Sequence, residues 1–306
     1  MSAIHSAAKK ISSGDVVAFP TETVYGLGAD ATNTDACKKI YLLKGRPSNN
    51  PLIVHIADKN DAHKYGEINA AAQKIINNFW PGPISIVVRA NSTSDICDIA
   101  TAGLQTVALR MPDHAIALEL IKLSGKPVAA PSANISNYVS PTEVRHVTES
   151  FGGQITILEG EKSVFGLEST IIDVSGETPV ILRYGFITPE AVSKVLGCAV
   201  GVMTKGKIIA QGMMKKHYSP KTALRLNASK LQPGEIGLGF GKHDFGDLNL
   251  SHSGNLAEAA ANFYSMLRLL DAKAQRQKLS GIAVAPIPDE GIGLAINDRL
   301  RRGAEG

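Results

Sequence analysis

Short runs of β-branched and apolar residues, each ending in a loop of Pro, Gly, Ser, Thr or Asn and alternating with stretches of helical period, leave this chain little besides an α/β fold. Runs at 16–19, 52–56, 84–89, 106–110, 127–130, 154–158, 171–174 and 179–182 read as strands. Between them, 4–12, 36–43, 69–79, 115–123, a segment led by Glu143, and 190–196 read as helices, the last entered through Thr188 and Pro189. Thr34 or Asp35 is expected to cap the second helix, which turns Cys37, Ile40 and Leu43 inward, and Thr142 the one led by Glu143. Trp80, the sole tryptophan, is expected in the core.

At 306 residues the chain exceeds what one core usually fills, about 250 to 300 residues. The Gly- and Lys-rich stretch 198–221 fits neither period and reads as a linker, giving a first domain at 1–197 and a second at 222–306. The second has strands at 222–226, 236–240 and 281–286. Its clearest helix, 256–274, carries an apolar stripe of Leu256, Ala259, Ala260, Phe263, Leu267 and Leu270, and a short helix at 294–300 precedes a frayed basic end.

The net charge of +4 permits a polyanion partner without requiring one; much of it lies in Lys205, Lys207, Lys215, Lys216, Lys221, Arg299, Arg301 and Arg302. Three scattered cysteines with no CxxC pair suggest neither disulfides nor structural zinc, and fit a reducing, cytoplasmic setting. No apolar run approaches the ~20 residues of a membrane span, and no leader is expected at the amino terminus.

The basic stretch YLLKGRPSNNPLIVHI at 41–56 reads as a hairpin-like turn running into a strand, with Lys44 and Arg46 around a glycine. It is either a solvated surface turn or a phosphate clamp. Further strand ends carry Thr23, His55, Arg110, Ser132, Asn134, Ser169 and Arg183. Arg110 closes an apolar strand and so needs a partner, either a substrate carboxylate or an internal Asp or Glu. Cations and hydroxyls without an acidic triad suit phosphate or carboxylate binding better than hydrolysis. Gly26-Leu27-Gly28 lacks the dinucleotide spacing, and the triphosphatase, HExxH and GxSxG motifs are absent.

PTETVYGLG at 20–28, KGRPSNNPL at 44–52, PSAN at 131–134 and ESTIIDV at 168–174, in that order, resemble the threonylcarbamoyl-AMP synthase family. HYSP at 217–220 and IGLAINDRL at 292–300 resemble its two-domain, Sua5-like branch. The resemblance implies a YrdC-like twisted-sheet domain around a concave basic cavity, a linker closing over the site, and a smaller Rossmann-like domain. It implies synthesis of L-threonylcarbamoyl-adenylate and pyrophosphate from L-threonine, bicarbonate or CO2, and ATP with Mg²⁺. The product would pass to a tRNA-modifying transferase system, with weak tRNA binding at most. Carried over, threonine would meet Thr23, His55, Arg110, Ala130 and Ser169. ATP would meet Lys44, Arg46, Asn50, Thr106, Ser132, Asn134, Ser140, Arg183 and Tyr218. No metal ligand and no general base are assigned, His55 suiting hydroxyl recognition at least as well as proton abstraction. Asn137, where the family often has glycine, and Met214-Lys215-Lys216, where it often has KYR, are departures. An RNA-binding module, or ATP-dependent carbamoylation or hydrolysis of another small substrate, are the competing readings.

Overall fold

A computed structural model describes residues 2–203 and 217–305. Most of the expected linker, with Lys205, Lys207 and the Met214 to Lys216 departure, lies outside the described residues. The described chain forms two sheets. The larger comprises β1 (Val17–Phe19), β2 (Gly26–Asp30), β3 (Ile53–His55), β4 (Ile84–Arg89), β5 (Thr106–Arg110), β6 (Val128–Ala129), β7 (Thr156–Ile157), β8 (Thr170–Asp173), β9 (Val180–Arg183) and β10 (Gly201–Val202). Its order is β10-β9-β8-β4-β5-β3-β6-β2-β1-β7, mixed in direction, with β3 and β5 parallel at its centre.

Helices lie on both faces: Ala36, Ile40, Ile75 and Ile76 pack against Leu27, Val54 and Ile86 on one, and Ala7, Ile11, Leu120 and Ile121 against Val17, Phe19 and Val128 on the other. The first, α1 (Ala3–Ser12), is capped by Ser2, and α2 (Thr34–Lys44) by Asn33, whose side chain accepts from the amides of Asp35 and Ala36. Neither Thr34 nor Asp35 caps α2, because the helix starts at Thr34 and Asn33 just before it has the extended geometry in which its oxygen reaches both orphan amides. The inward face of α2 is Ala36, Cys37, Ile40, Tyr41 and Lys44, whereas Leu43 is half-buried. Residues 41–44 therefore belong to a helix, and the expected turn is its carboxyl end, with Gly45 in the left-handed conformation at φ 60°. The short α3 (Ala62–Tyr65), α4 (Ala70–Phe79), the one-turn α5 (Asp98–Thr101), α6 (Ala115–Ser124), α7 (Val144–Phe151) and α8 (Pro189–Leu196) follow. Glu143 precedes α7 without capping it, and the buried Thr142 hydroxyl has no partner among the described residues. Trp80 is buried, its indole N–H donating to the Ile84 carbonyl.

The second sheet, β11 (Leu224–Arg225), β12 (Glu235–Gly239), β13 (Leu248–Asn249) and β14 (Gly281–Val284), is parallel throughout in the order β11-β14-β12-β13. It packs against α9 (Leu256–Gln277) and α10 (Gly293–Ala304). The expected short helix is present but continues through the expected frayed end as one 12-residue helix. Its inward positions Ala295, Ile296, Arg299, Leu300 and Gly303 keep the helical period beyond residue 300. Val24, Val139 and Leu167 of the larger sheet's unit share a core with Phe263, Leu267 and Ile296, so the two units are docked through apolar surface. Among the described residues no helix is long and apolar enough to cross a membrane.

Gly28 explains the isolated glycine pair in β2 without a nucleotide. A Cβ there would stand 2.6 Å from Phe19 and 2.7 Å from Val128, so the glycine admits their side chains between strand and helix layers. Gly28→Ala is expected to destabilise the fold by roughly 1–3 kcal/mol through overpacking. A lower urea midpoint at unchanged slope checks this, and an unchanged midpoint refutes it.

Candidate active site

Period-two alternation decides what reaches the concave face of the larger sheet. Val54, Ile86, Leu109 and Ile172 point into the helix-covered core. Their neighbours Ile53, Val87, Ala108 and Ile171, with Leu182, form a thin apolar floor on the other side. Thr106 and Arg110 share that side at opposite ends of β5, and His55 lies beside Arg110 because the two pair in register.

At this end the guanidinium of Arg110 is buried and donates to Glu22 Oε1 at 2.6 Å and to the Gly82 carbonyl at 3.3 Å. Of the two partners open to it from the sequence, the internal carboxylate is the one in place. Glu22 Oε2, also buried, has no partner among the described residues. His55 Nδ1 is 3.1 Å from the Ile53 carbonyl and so donates to it. Burial, and then the charge of Arg110, push the imidazole down to about 3, which keeps it neutral. Thr23 is buried with its hydroxyl 2.8 Å from that of Thr21, which also donates to the Val24 carbonyl. Ser169 Oγ lies 2.8 Å from Ser85 Oγ, and Ala130 walls the same pocket.

The other cations gather beside this pocket. Lys44, carried inward by the helical period of α2, donates to the carbonyls of Ser132 and Asn134. Burial, and then the neighbouring charge of Arg46, hold its amine well below the usual lysine value. Arg46 donates to the carbonyls of Asn50 and Pro51, and burial lowers it to about 10. Both polar side-chain atoms of Asn50 and the oxygen of Asn134 are buried without partners among the described residues. Since Ile53 pairs with Ala108, Thr106 at the start of β5 is brought level with Pro51 and this loop. Arg183 reaches the Ser169 carbonyl through Nε and Nη2, at 3.0 and 2.9 Å, and burial lowers it too. Tyr218 returns over the site with its hydroxyl buried and unpartnered among the described residues.

One pocket therefore holds Thr23, His55, Arg110, Ala130, Ser132, Ser169 and Arg183 together, with free volume of about 30 Å³, roughly one water. Lys44 and Asn134 adjoin it at Ser132, and Arg46 and its partner Asn50 lie near enough to Arg183 for the two charges to interact. Tyr218 packs on the Tyr264 and Arg299 that hold Glu168 of its wall, and Ser140 bonds to the same Glu168. Thr106 is joined to the group by strand register alone. A larger groove of about 600 Å³ lies at the far edge against Lys10, Lys39 and Leu42 and contains none of these residues. Lys44, Arg46, Arg110 and Arg183 are each at most 8% exposed. The cleft is thus not the open basic face that an RNA-binding module needs. Sequence reasoning missed Glu22, Glu168, Tyr264 and Arg299. The first two stood within quoted motifs, but partners 88 and 131 residues away leave no local signal.

Comparison with known proteins matches residues 9–185 to the family model described as "Telomere recombination" and 187–305 to "Threonylcarbamoyl-AMP synthase, C-terminal domain". The threonylcarbamoyl-AMP synthase of Bacillus subtilis is 39% identical, over 99% of this chain and 93% of that protein. That of Pyrococcus abyssi is 38% identical, over 98% and 93%. The crystal structure of P. abyssi Sua5 complexed with L-threonine superposes with a TM-score of 0.86 at 36% identity, over 99% of this chain and 94% of that one.

The neutral state of His55 has a thermodynamic signature. Its folded value of about 3 lies below the unfolded value near 6.5. Its contribution is therefore complete above pH 6.5 and is lost as pH falls toward 3. Between pH 6.5 and 5 this amounts to about 2 kcal/mol. Denaturant titrations at both pH values should show a shallower loss for His55→Gln than for the parent protein. Equal losses would exclude a buried neutral imidazole.

Proposed function

The chain belongs to the two-domain, Sua5-type branch of the threonylcarbamoyl-AMP synthase family, and from that membership we propose how its cleft divides the work. The enzyme is an L-threonylcarbamoyladenylate synthase, forming L-threonylcarbamoyl-adenylate and pyrophosphate from L-threonine, bicarbonate or CO2, and ATP. The observation that carries the division is a difference in partners among the described residues: Arg110 holds a carboxylate, whereas Lys44, Arg46 and Arg183 donate to backbone oxygens, Arg183 also to a serine hydroxyl.

L-Threonine takes the Arg110 end. Glu22 occupies the seat of its carboxylate, so the substrate displaces one carboxylate from the guanidinium with another. Thr23, His55, the backbone at Ala130 and Ser169 line the space for its hydroxyl and amine. With so low a pKa, His55 is a poor base and serves to recognise the hydroxyl. The amine enters unprotonated and adds to the carbon of CO2, giving a carbamate and releasing a proton to solvent. A carbamate oxygen then bonds to the α-phosphorus as the bond to the β-phosphate oxygen breaks, and pyrophosphate leaves.

ATP lies against Lys44, Arg46, Asn50, Thr106, Ser132, Asn134, Ser140, Arg183 and Tyr218. The three cations stabilise charge accumulating on the phosphate oxygens from fixed positions, without reorganising water. The cleft offers cations and hydroxyls, and among the described residues no group of three or more His, Cys, Asp or Glu is suited to a metal. Mg²⁺ is expected to arrive with ATP, bound to the phosphates whose charge it screens.

The units are 1–197 and 222–306, joined by 198–221, whose start adds β10 to the edge of the first sheet. The product passes to a transferase that modifies tRNA, and a net charge of +4 supports weak tRNA contact at most. The setting is the cytoplasm, in keeping with three free cysteines.

Purified protein with ATP, Mg²⁺ and labelled bicarbonate should yield a labelled threonylcarbamoyl-adenylate only when L-threonine is added. Nucleotide breakdown independent of threonine would replace this reading with a hydrolase. Within the same assay, Arg110→Ala should raise the KM for threonine at least ~100-fold, and Arg46→Ala that for ATP by ~10-fold or more. If each variant altered both constants alike, the two-ended division would be wrong.

A further inference from the structure

The tail motif at 292–300 has no part in substrate binding as assigned above, yet it contains the largest fully buried side chain among the described residues, Arg299. From α10 its Nε donates to Glu168 Oε2 at 3.1 Å, and its Nη1 to Asp298 at 3.2 Å. Its guanidinium carbon lies 5.3 Å from the Tyr218 ring centre. A second residue of the same unit, Tyr264 on α9, places its hydroxyl 2.9 Å from both Glu168 oxygens. The remaining partner is Ser140, whose hydroxyl donates to Oε1. Glu168 itself belongs to the first unit, lines the substrate pocket and precedes Ser169, whose carbonyl receives Arg183 twice.

A buried carboxylate seeks the nearest cation. Arg183 stands on the pocket wall with Glu168, and its charge is one of those that hold this carboxyl below its usual range. Burial, the largest single influence, raises the carboxyl, and Arg299 lowers it more than Arg183 does. Were Arg299 absent, Arg183 would become the counter-ion of Glu168 and turn from the cleft. With Arg299 and Tyr264 in place, the acceptor sites of Glu168 are filled from the second unit and from Ser140.

We propose that Arg299 and Tyr264 are positioning residues of the nucleotide end of the cleft. By engaging Glu168 they keep its carboxylate from claiming Arg183, which stays on Ser169 facing the substrate phosphates, and fix Ser140. The second unit thus supplies part of the electrostatics of ATP binding without touching ATP. The inference rests on the assignment of Arg183 and Ser140 to the nucleotide. Threonine is expected to sense the change far less than ATP, because Ser85 still holds Ser169 Oγ when Arg183 turns and Arg110 is held by Glu22 and Gly82, not by Glu168.

The test is steady-state kinetics on the full chain for Arg299→Met, Arg299→Lys, Tyr264→Phe and Arg183→Ala, with thermal unfolding of each. Arg299→Met should raise the KM for ATP about tenfold and leave the KM for threonine within about twofold, while Arg299→Lys recovers part of the loss. Tyr264→Phe, which removes one hydroxyl, should raise the ATP constant about threefold, and it decides the question alone if Arg299→Met does not fold. An unchanged ATP constant in Tyr264→Phe and Arg299→Met overturns the relay, and so does a parallel rise in both constants. If Arg183→Ala raises the ATP constant while those two do not, the relay falls and the nucleotide site stands. If Arg183→Ala has no effect on ATP, the nucleotide assignment falls and the relay with it.

Discussion

Three cations buried without a carboxylate as direct partner set the terms for the rest of this molecule. Lys44, Arg46 and Arg183 rest on backbone carbonyls, with one serine hydroxyl beside Arg183. Desolvation lowers the affinity of each for its proton. Carbonyl dipoles offset only part of the cost of burying a charge, which amounts to several kcal/mol per ion. Such an arrangement persists where the surrounding fold is strong enough to hold it, and it is most stable when an anion arrives. The cleft is accordingly organised for a polyanionic substrate before one enters, which is how fixed charges lower a barrier without reorganisation at the moment of reaction.

That strength comes from two layers. The helix-covered face of the larger sheet buries α2 and α4 against β3, β4 and β5, which fixes Lys44 and the floor from below. The second unit closes the far side. Arg268 on α9 donates to the Val139 carbonyl at 2.6 Å and stacks 4.7 Å from the Tyr138 ring, whose hydroxyl donates to Asp271. Gly166 lets the backbones meet, since a Cβ there would stand 2.4 Å from the Ala260 carbonyl. The loop carrying Tyr138 to Ser140 is therefore set by the second unit as much as by the first.

Much of this was legible in the sequence. The bounds of β4 and β5 follow from their apolar runs, and alternation within them puts Arg110 on the open face. The ordered motifs led to the right family because each places several strand-end polar groups at once. Other features were not legible, for physical reasons. Lys44 reads as a turn residue because it precedes a glycine. Only the stripe of Ala36, Cys37, Ile40 and Tyr41 shows that the helix carries it inward. Arg299 reads as one of a basic cluster, although the same helical count from Ala295 and Ile296 places it inside. In both cases a charged side chain sits where the period demands an apolar one, and propensity alone assigns it to water. Glu22 and Glu168 escape for a different reason, since their partners are brought together only by sheet order and by docking of the units.

The departure at Asn137 bears on how the chain crosses the cleft. Asn137 has φ 67°, within the left-handed region, and its carbonyl accepts from the Ser219 amide at 2.7 Å. Glycine takes that conformation without strain, and asparagine is one of the few residues that visits it routinely. The substitution thus keeps the geometry that anchors residue 219. Tyr218, next to it, is also left-handed at φ 60°, which for a bulky side chain costs on the order of 1–2 kcal/mol. Its ring is nevertheless fixed, inclined at 57° against His217 with ring centres 3.9 Å apart and packed with Tyr264 and Arg299. Strain of that size survives only where packing over-determines it, and here the packing belongs to the second unit. The hydroxyl of Tyr218, without a partner among the described residues, is therefore held beside Glu168 and Arg183 by residues some 50 to 80 positions further along the chain. A catalytic sheet alone would lack the means to keep it there.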